Sequence, residues 1–262
     1  MCVKVAFLLA ASIGLANASA QSFEENFSTA VSNYQSSQYE AASKLFETEL
    51  ENHPENAALL YNFGLTEYRL GRLGKAIGLW RKALSLKPSF AAAKDALSFA
   101  TSKLEHKELP HQATFAESVR TGILLWISIH HALFLLSVSL FFLGWFGVKY
   151  LRERKNSLAN EEPPPNPSLA LIGYLAIFTF SVGLTGLKWM DTATVRATVL
   201  PKALSARTGP DEGHAELFQL YEGLEVIVSE RKNTWLKATY PGGASGWIPE
   251  DAVLITWGEW QL

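Results

Sequence analysis

Two adjacent histidines, His130 and His131, lie inside an otherwise apolar run, and they are the side chains best placed to ligate a metal or haem or to relay a proton. Ligation needs further donors. The other long apolar run offers only Tyr174, Thr179, Ser181 and Thr185, none of them a strong ligand. If Trp126 marks the boundary of the apolar layer, the pair sits only about one helical turn below it. The expected role is a hydrogen bond across a helix pair or to interfacial water, with no metal and no cofactor. No other grouping does better. The four aspartates are unpaired in sequence, and His53, His106, His111 and His214 are scattered. There is no nucleophile motif and no phosphate-cradling glycine loop. The expectation is a protein with no catalytic residues.

The elements that must position these histidines are two apolar runs, Ile123 to Val148 and Leu169 to Leu187, neither containing Lys, Arg, Asp or Glu. A bilayer core takes roughly 20 apolar helical residues to cross, and backbone polar groups in lipid need internal partners. The runs predict a two-helix transmembrane hairpin, with spans at 121–148 and 168–188 joined by a loop at 149–167. Lys149, Arg152, Arg154 and Lys155 fall in that loop, whereas the outer flanks carry only Arg120, Lys188 and Arg196. Positive charge near the spans tends to remain cytoplasmic, so the loop is expected inside and both flanks outside. Gly173, Ala176, Thr179, Gly183 and Gly186 lie on one helical face of the second span. Small residues allow close helix packing in lipid, so the stripe is expected to receive the first span or another membrane protein. Pro163 to Pro165 in the loop favour an extended spacer.

The first twenty residues have a charged start at Lys4, an apolar core, and Ala18-Ser19-Ala20 as a cleavage pattern. This predicts a signal peptide over 1–20, or an uncleaved anchor with the same topology. The single cysteine is Cys2, so a cleaved chain has neither a disulfide nor a thiolate metal site. A net charge of −2 with no basic block outside the loop argues against nucleic acid as a partner.

Residues 21–108 repeat. Pro54 and Pro88 lie 88 − 54 = 34 apart, giving units at 23–56 and 57–90 and a capping helix at 91–104. The second unit carries Leu60, Phe63, Gly64, Tyr68, Gly71, Ala76, Trp80, Ala83 and Pro88, and the first, more loosely, Ala30, Tyr34, Tyr39, Ala42, Phe46 and Pro54. This resembles the tetratricopeptide repeat, an all-α helix-turn-helix unit. Two repeats are few, so the array is expected to lean on its cap, on the hairpin or on another chain. In such arrays the first helix of each repeat lines the concave face. The resemblance places Phe27, Val31, Tyr34, Tyr61, Asn62, Leu65, Tyr68 and Arg69 there, as a partner groove or as ordinary inter-repeat packing. A carboxylate clamp is not expected, because Ser28 and Ala92 occupy its places.

From Thr192 short alternating runs are separated by turns at Gly209-Pro210, Glu222-Gly223 and Gly242-Gly243, which predicts a small all-β barrel over 192–262. The order ARTGP, YEGLEVIV, TWLKATY, GASGWIPEDAVLI is similar to the bacterial SH3 domain. The similarity makes Phe218, Tyr221, Trp235, Tyr240 and Trp247 candidate ligand-facing aromatics, with Trp235 and Trp247 expected instead to be core.

Taken together, the chain reads as a multidomain membrane protein: signal peptide, helical repeats, hairpin, SH3-like barrel. This order resembles the bacterial aerotolerance (Bat) group. The resemblance implies a non-catalytic inner-membrane scaffold with both modules in the periplasm. Its implied partners are membrane or periplasmic proteins, including those with von Willebrand factor A domains and an associated MoxR-type ATPase. The alternative is a receptor whose barrel binds peptidoglycan.

Overall fold

The computed structural model describes residues 22–104, 122, 124, 127–240 and 243–258. The expected leader at 1–20, the connector at 105–120 and Trp126 lie outside these residues. The chain forms two units: Met1–Gln112 together with Val195–Leu262, and Ala113–Thr194.

The first unit begins with helices α1 (22–35), α2 (Tyr39–Asn52), α3 (Ala57–Arg69), α4 (Leu73–Leu86) and α5 (Ala91–Ser102). Their starts keep a fixed period: 73 − 39 = 34 and 91 − 57 = 34. Asn56 caps α3 by accepting from Ala58 N and Leu59 N, both at 3.0 Å. The α3–α4 turn puts Gly71 at φ +76°, and Arg72 N closes it on Glu67 O at 3.0 Å. Ser37 holds the same left-handed conformation at φ 61° in the α1–α2 turn, 71 − 37 = 34 residues earlier. Phe46, Leu59, Leu60, Phe63 and Leu79 make the core between the helices. Trp80 lies against Gly64, where a Cβ would collide with the indole, and its Nε1 donates to Tyr61 O at 3.1 Å. Glu67 is fully buried, but Ser43 Oγ donates to it at 2.5 Å, and Arg72 and Lys75 stand at 3.2 and 3.7 Å. A buried carboxylate needs such compensation.

The same unit continues as an antiparallel sheet of seven strands: β1 (Val195–Val199), β2 (Ala203–Arg207), β3 (Glu216–Tyr221), β4 (Glu225–Lys232), β5 (Trp235–Thr239), β6 (Ser245–Pro249) and β7 (Val253–Trp257). Their order in the sheet is β3-β2-β6-β5-β4-β1-β7. Alternation sends Ala206, Leu220, Val226, Val228, Leu236, Ala238 and Ile248 into one core. Strand β1 departs from alternation, since all five of its residues are buried. Val195, Ala197 and Val199 face the barrel core, and the opposite face of β1 meets α4.

Glycine makes that approach possible. A Cβ on Gly74 would run into the carbonyl oxygens of Val199 and Leu200, and one on Gly78 would stand 2.9 Å from Leu254 Cδ2. Arg81 Nη1 donates to Thr198 Oγ1 and to Gly223 O, both at 2.8 Å, and Gly74 N donates to Glu222 Oε2 at 3.3 Å. Leu254 packs with the helical core, and Ile77 and Leu104 close on Gly223. The helical segment thus leans on the barrel.

The second unit is a pair of helices, α6 (Ile129–Ala159) and α7 (Leu169–Ala193), of 31 and 25 residues. At about 1.5 Å per residue both exceed the roughly 30 Å of a bilayer core. Ser128 caps α6, so this helix starts later than the apolar run. It continues through Lys149, Arg152 and Arg154 to Ala159, because these long side chains are good helix formers. Tyr174 stacks on Phe142 and Phe146 with centroids 5.1 and 5.3 Å apart, and Ser139 and Ser181 share a hydrogen bond at 3.0 Å. Lys188 is buried rather than a free flank charge: its Nζ donates to Leu124 O at 2.8 Å and to Asp191 Oδ2 at 3.2 Å.

Replacing Gly by Ala within a helix normally stabilises it, by up to about 1 kcal/mol. At Gly74 the sign should reverse. Gly74→Ala is expected to cost about 1–3 kcal/mol, because the methyl meets backbone that cannot rotate away. Gly78→Ala should cost less, since the Leu254 side chain can shift. Thermal unfolding of the purified full chain checks this, and a raised midpoint for Gly74→Ala would refute the docking.

Candidate binding surfaces

Three sets of side chains were candidates from the sequence, and the structure treats them differently. On the helices, Phe27 packs edge-on to Phe46 at 5.9 Å, and Val31 lines the same cluster. Tyr61 tilts against Phe90 at 5.1 Å, while Leu65 and Tyr68 pack beside Trp80. Asn62 donates its amide to Ala58 O, one turn back in its own helix, at 2.8 Å. These six are half-buried and serve the contacts between helices. Arg69 is exposed, and its Nε donates to Tyr34 Oη at 3.4 Å. That bond, with the neighbouring tyrosines, raises the guanidinium's already high pKa, so it is cationic at every working pH. Tyr39, at the start of α2, stands edge-on to Tyr34 of α1 at 5.5 Å.

Near the other end of these helices His53, Asn56, Lys87 and Phe90 border an open depression of about 750 Å³. Lys87 Nζ sits 5.5 Å from the Phe90 ring centroid.

On the barrel, Tyr240 is buried in the core, and Phe218 and Tyr221 pack against it. Trp235 and Trp247 were expected in the core and are not. Strand register explains the correction. Leu236, Ala238 and Ile248 occupy the core side of β5 and β6, so the alternating Trp235, Lys237 and Trp247 must point outward. Trp235 stands opposite Pro249 and Lys232, and Trp247 opposite Lys237 and Arg207. The two indoles are therefore diagonal neighbours, a spacing of about 7–8 Å that large aromatics can bridge. Lys237 lies 3.7 Å from Glu230, and Arg207 3.8 Å from Glu216.

In the hairpin the small-residue stripe does not receive α6. Gly173, Ala176, Thr179, Gly183 and Gly186 are all exposed, and a Cβ on any of the three glycines would meet nothing within 4 Å. The seam instead uses Tyr174, Ser181, Thr185 and Lys188, spaced by seven, four and three. His130 is exposed, and His131 Nδ1 shares a 2.7 Å hydrogen bond with Ser128 Oγ at the start of its own helix, rather than with α7.

Sequence reasoning missed Gly74, Gly78 and Arg81, which hold the barrel, and Phe99 and Lys103 at the end of α5. A usable signal existed for the first pair: two glycines one turn apart, inside an otherwise strongly amphipathic helix.

Residues 201–254 match the family model described as bacterial SH3 domain, which covers strands β2 to β6 and the start of β7. Comparison with curated proteins gave no match. The chain therefore carries a C-terminal domain of the bacterial SH3 type, a class of protein-binding and cell-wall-binding modules, beside a helical segment and two helices long and apolar enough to cross a membrane.

Proposed function

We propose that this chain is a non-catalytic scaffold of the bacterial inner membrane. In this reading α6 and α7 cross the bilayer, and the helical segment and the SH3-type barrel form one protein-binding body in the periplasm. The observation that carries it is the seating of α4 on β1 and β7, with Arg81 bonded to Thr198 and Gly223. Segments that precede and follow the hairpin are packed into one unit, so the chain between them crosses a membrane an even number of times. The basic residues at the tip of the hairpin support a cytoplasmic loop, which leaves both modules outside.

The 34-residue spacing of helix starts, the Gly64–Trp80 contact and the left-handed residues at 37 and 71 support the tetratricopeptide reading of the helices. Within the resemblance to the Bat group, the partners would be von Willebrand A-domain membrane proteins. A second reading, a receptor for peptidoglycan, is favoured by one feature: the outward Trp235 and Trp247, flat aromatic faces on a half-exposed sheet.

Topology is tested on a Cys2→Ser background with single cysteines at exposed positions: Ser98→Cys on α5, Ser229→Cys on the barrel and Asn156→Cys beside the basic segment. A membrane-impermeant maleimide added to cells with a permeabilised outer membrane is expected to label the first two and spare the third. Labelling of only one of the first two would sink the scaffold.

Function is tested by purifying the full chain from native membranes and by mixing it, in nanodiscs, with murein sacculi. The scaffold reading expects stoichiometric membrane-protein partners and no murein retention. Murein retention that Trp247→Ala abolishes, with the unfolding midpoint unchanged, would establish the receptor instead.

A further inference from the structure

Beside half-buried tyrosines that pack between the helices, the exposed Arg69, Phe99 and Lys103 are left unexplained by packing. At the C-terminal ends of α1, α3 and α5 a continuous line of contacts runs Tyr39, Tyr34, Arg69, Tyr68, Phe99, Lys103. Tyr39 meets Tyr34 edge-on at 5.5 Å, and Arg69 donates to Tyr34 Oη. Tyr68 meets Phe99 edge-on at 5.9 Å, and Lys103 Nζ lies 5.4 Å from the Phe99 ring centroid. Phe99 is 53% exposed, against 1% for Phe46 and Phe63 in the core of the same helices. A large ring left this open contributes little to folding.

The charges point the same way. Arg72, Lys75, Arg207, Arg231 and Lys237 of this unit each have a carboxylate within 4.0 Å. Arg69 and Lys103, like Lys87 near the other end of the helices, lie instead against an aromatic group: a phenol oxygen for Arg69 and a ring face for Lys103. Exposed guanidinium and ammonium groups beside aromatic rings can pair with carboxylates.

We propose that this ridge docks an acidic segment of a partner protein, one carrying aromatic or aliphatic side chains between its carboxylates. Its carboxylates pair with Arg69 and Lys103, and its apolar side chains cover Phe99 and Tyr68. The proposal rests on the reading of this unit as a protein-binding body and specifies the chemistry of one partner. The competing account is that both cations merely offset the negative ends of the α3 and α5 dipoles. That account predicts a loss of stability on charge reversal, with no change in any binding.

The test uses the full chain in zwitterionic nanodiscs and a fluorescent glutamate-rich peptide bearing two phenylalanines, read by anisotropy. The peptide is expected to bind, and binding should weaken as salt is raised. The double variant Arg69→Glu/Lys103→Glu and the single variant Phe99→Ala should each weaken it about tenfold or more, with unfolding midpoints unchanged. Lys232→Glu, an exposed cation on the barrel, should have no effect. Four outcomes would each overturn the proposal: no binding, equal binding of a lysine-rich peptide, a lowered midpoint without lost affinity, or preference for anionic-lipid vesicles over the peptide. If the native partners co-purify equally with wild type and the double variant, the ridge is excluded while the scaffold reading stands.

Discussion

The contact on which the rest depends is that of α4 with β1. A strand buried on both faces needs a cover for its second face, and here the cover is a helix lying almost backbone to backbone. At 74 only a residue without a Cβ permits that distance, and at 78 its absence leaves room for the Leu254 side chain. The close approach then lets Arg81 reach a main-chain carbonyl and the Thr198 hydroxyl at once. Charge-assisted bonds of this kind are roughly twice as strong as neutral ones. The two halves of the unit are separated in sequence by 195 − 104 = 91 residues, from the end of the helical segment to β1. Closing such a span costs little more than closing a short one, because the entropy rises only as the logarithm of length. A helical hairpin can therefore be inserted between two parts of one folded body without loosening it.

Local order was legible in the sequence, and contacts between distant segments were not. Helix starts follow from a 34-residue period visible in Pro54 and Pro88, in Ala30 and Gly64, and in Phe46 and Trp80. The strands follow from runs such as LEVIV and WLKAT bounded by glycine and asparagine turns. What escaped was every feature decided by a partner far along the chain. Gly74 and Gly78 look like weak points of a helix until Leu200 and Leu254 are placed beside them. Trp235 and Trp247 look like core by size alone, and only strand register, set by Leu236 and Ile248, turns them outward. An array of so few repeats had to lean on something, but the sequence offered no means of choosing the barrel over the cap or the hairpin.

The hairpin teaches the same lesson. A stripe of small residues is an invitation to close packing, and the expectation was that α6 or another membrane protein would take it. It packs elsewhere because the opposite face of α7 offers more: a hydroxyl pair at Ser139 and Ser181, a ring stack on Tyr174, and Lys188 capping the carbonyl of Leu124. Each of those polar groups, once buried between the helices, must find an internal partner, whereas glycine requires none. Burial of the polar groups decides the seam, and the smooth face is left over.

Rigidity gives the two outward surfaces a joint meaning. The aromatic ridge on the ends of α1, α3 and α5 and the indole face on β5 and β6 belong to bodies locked together through α4. They cannot reorient independently, as they would on a flexible linker. In the scaffold proposed above, partners engaging both would be presented to one another at a fixed separation, and a second binding event would become effectively intramolecular. The gain from such linkage is largest when geometry matches and vanishes when it does not. On that proposal the glycines of α4 would set more than stability: by fixing the angle between helices and barrel, they would determine which pairs of partners can be held at once.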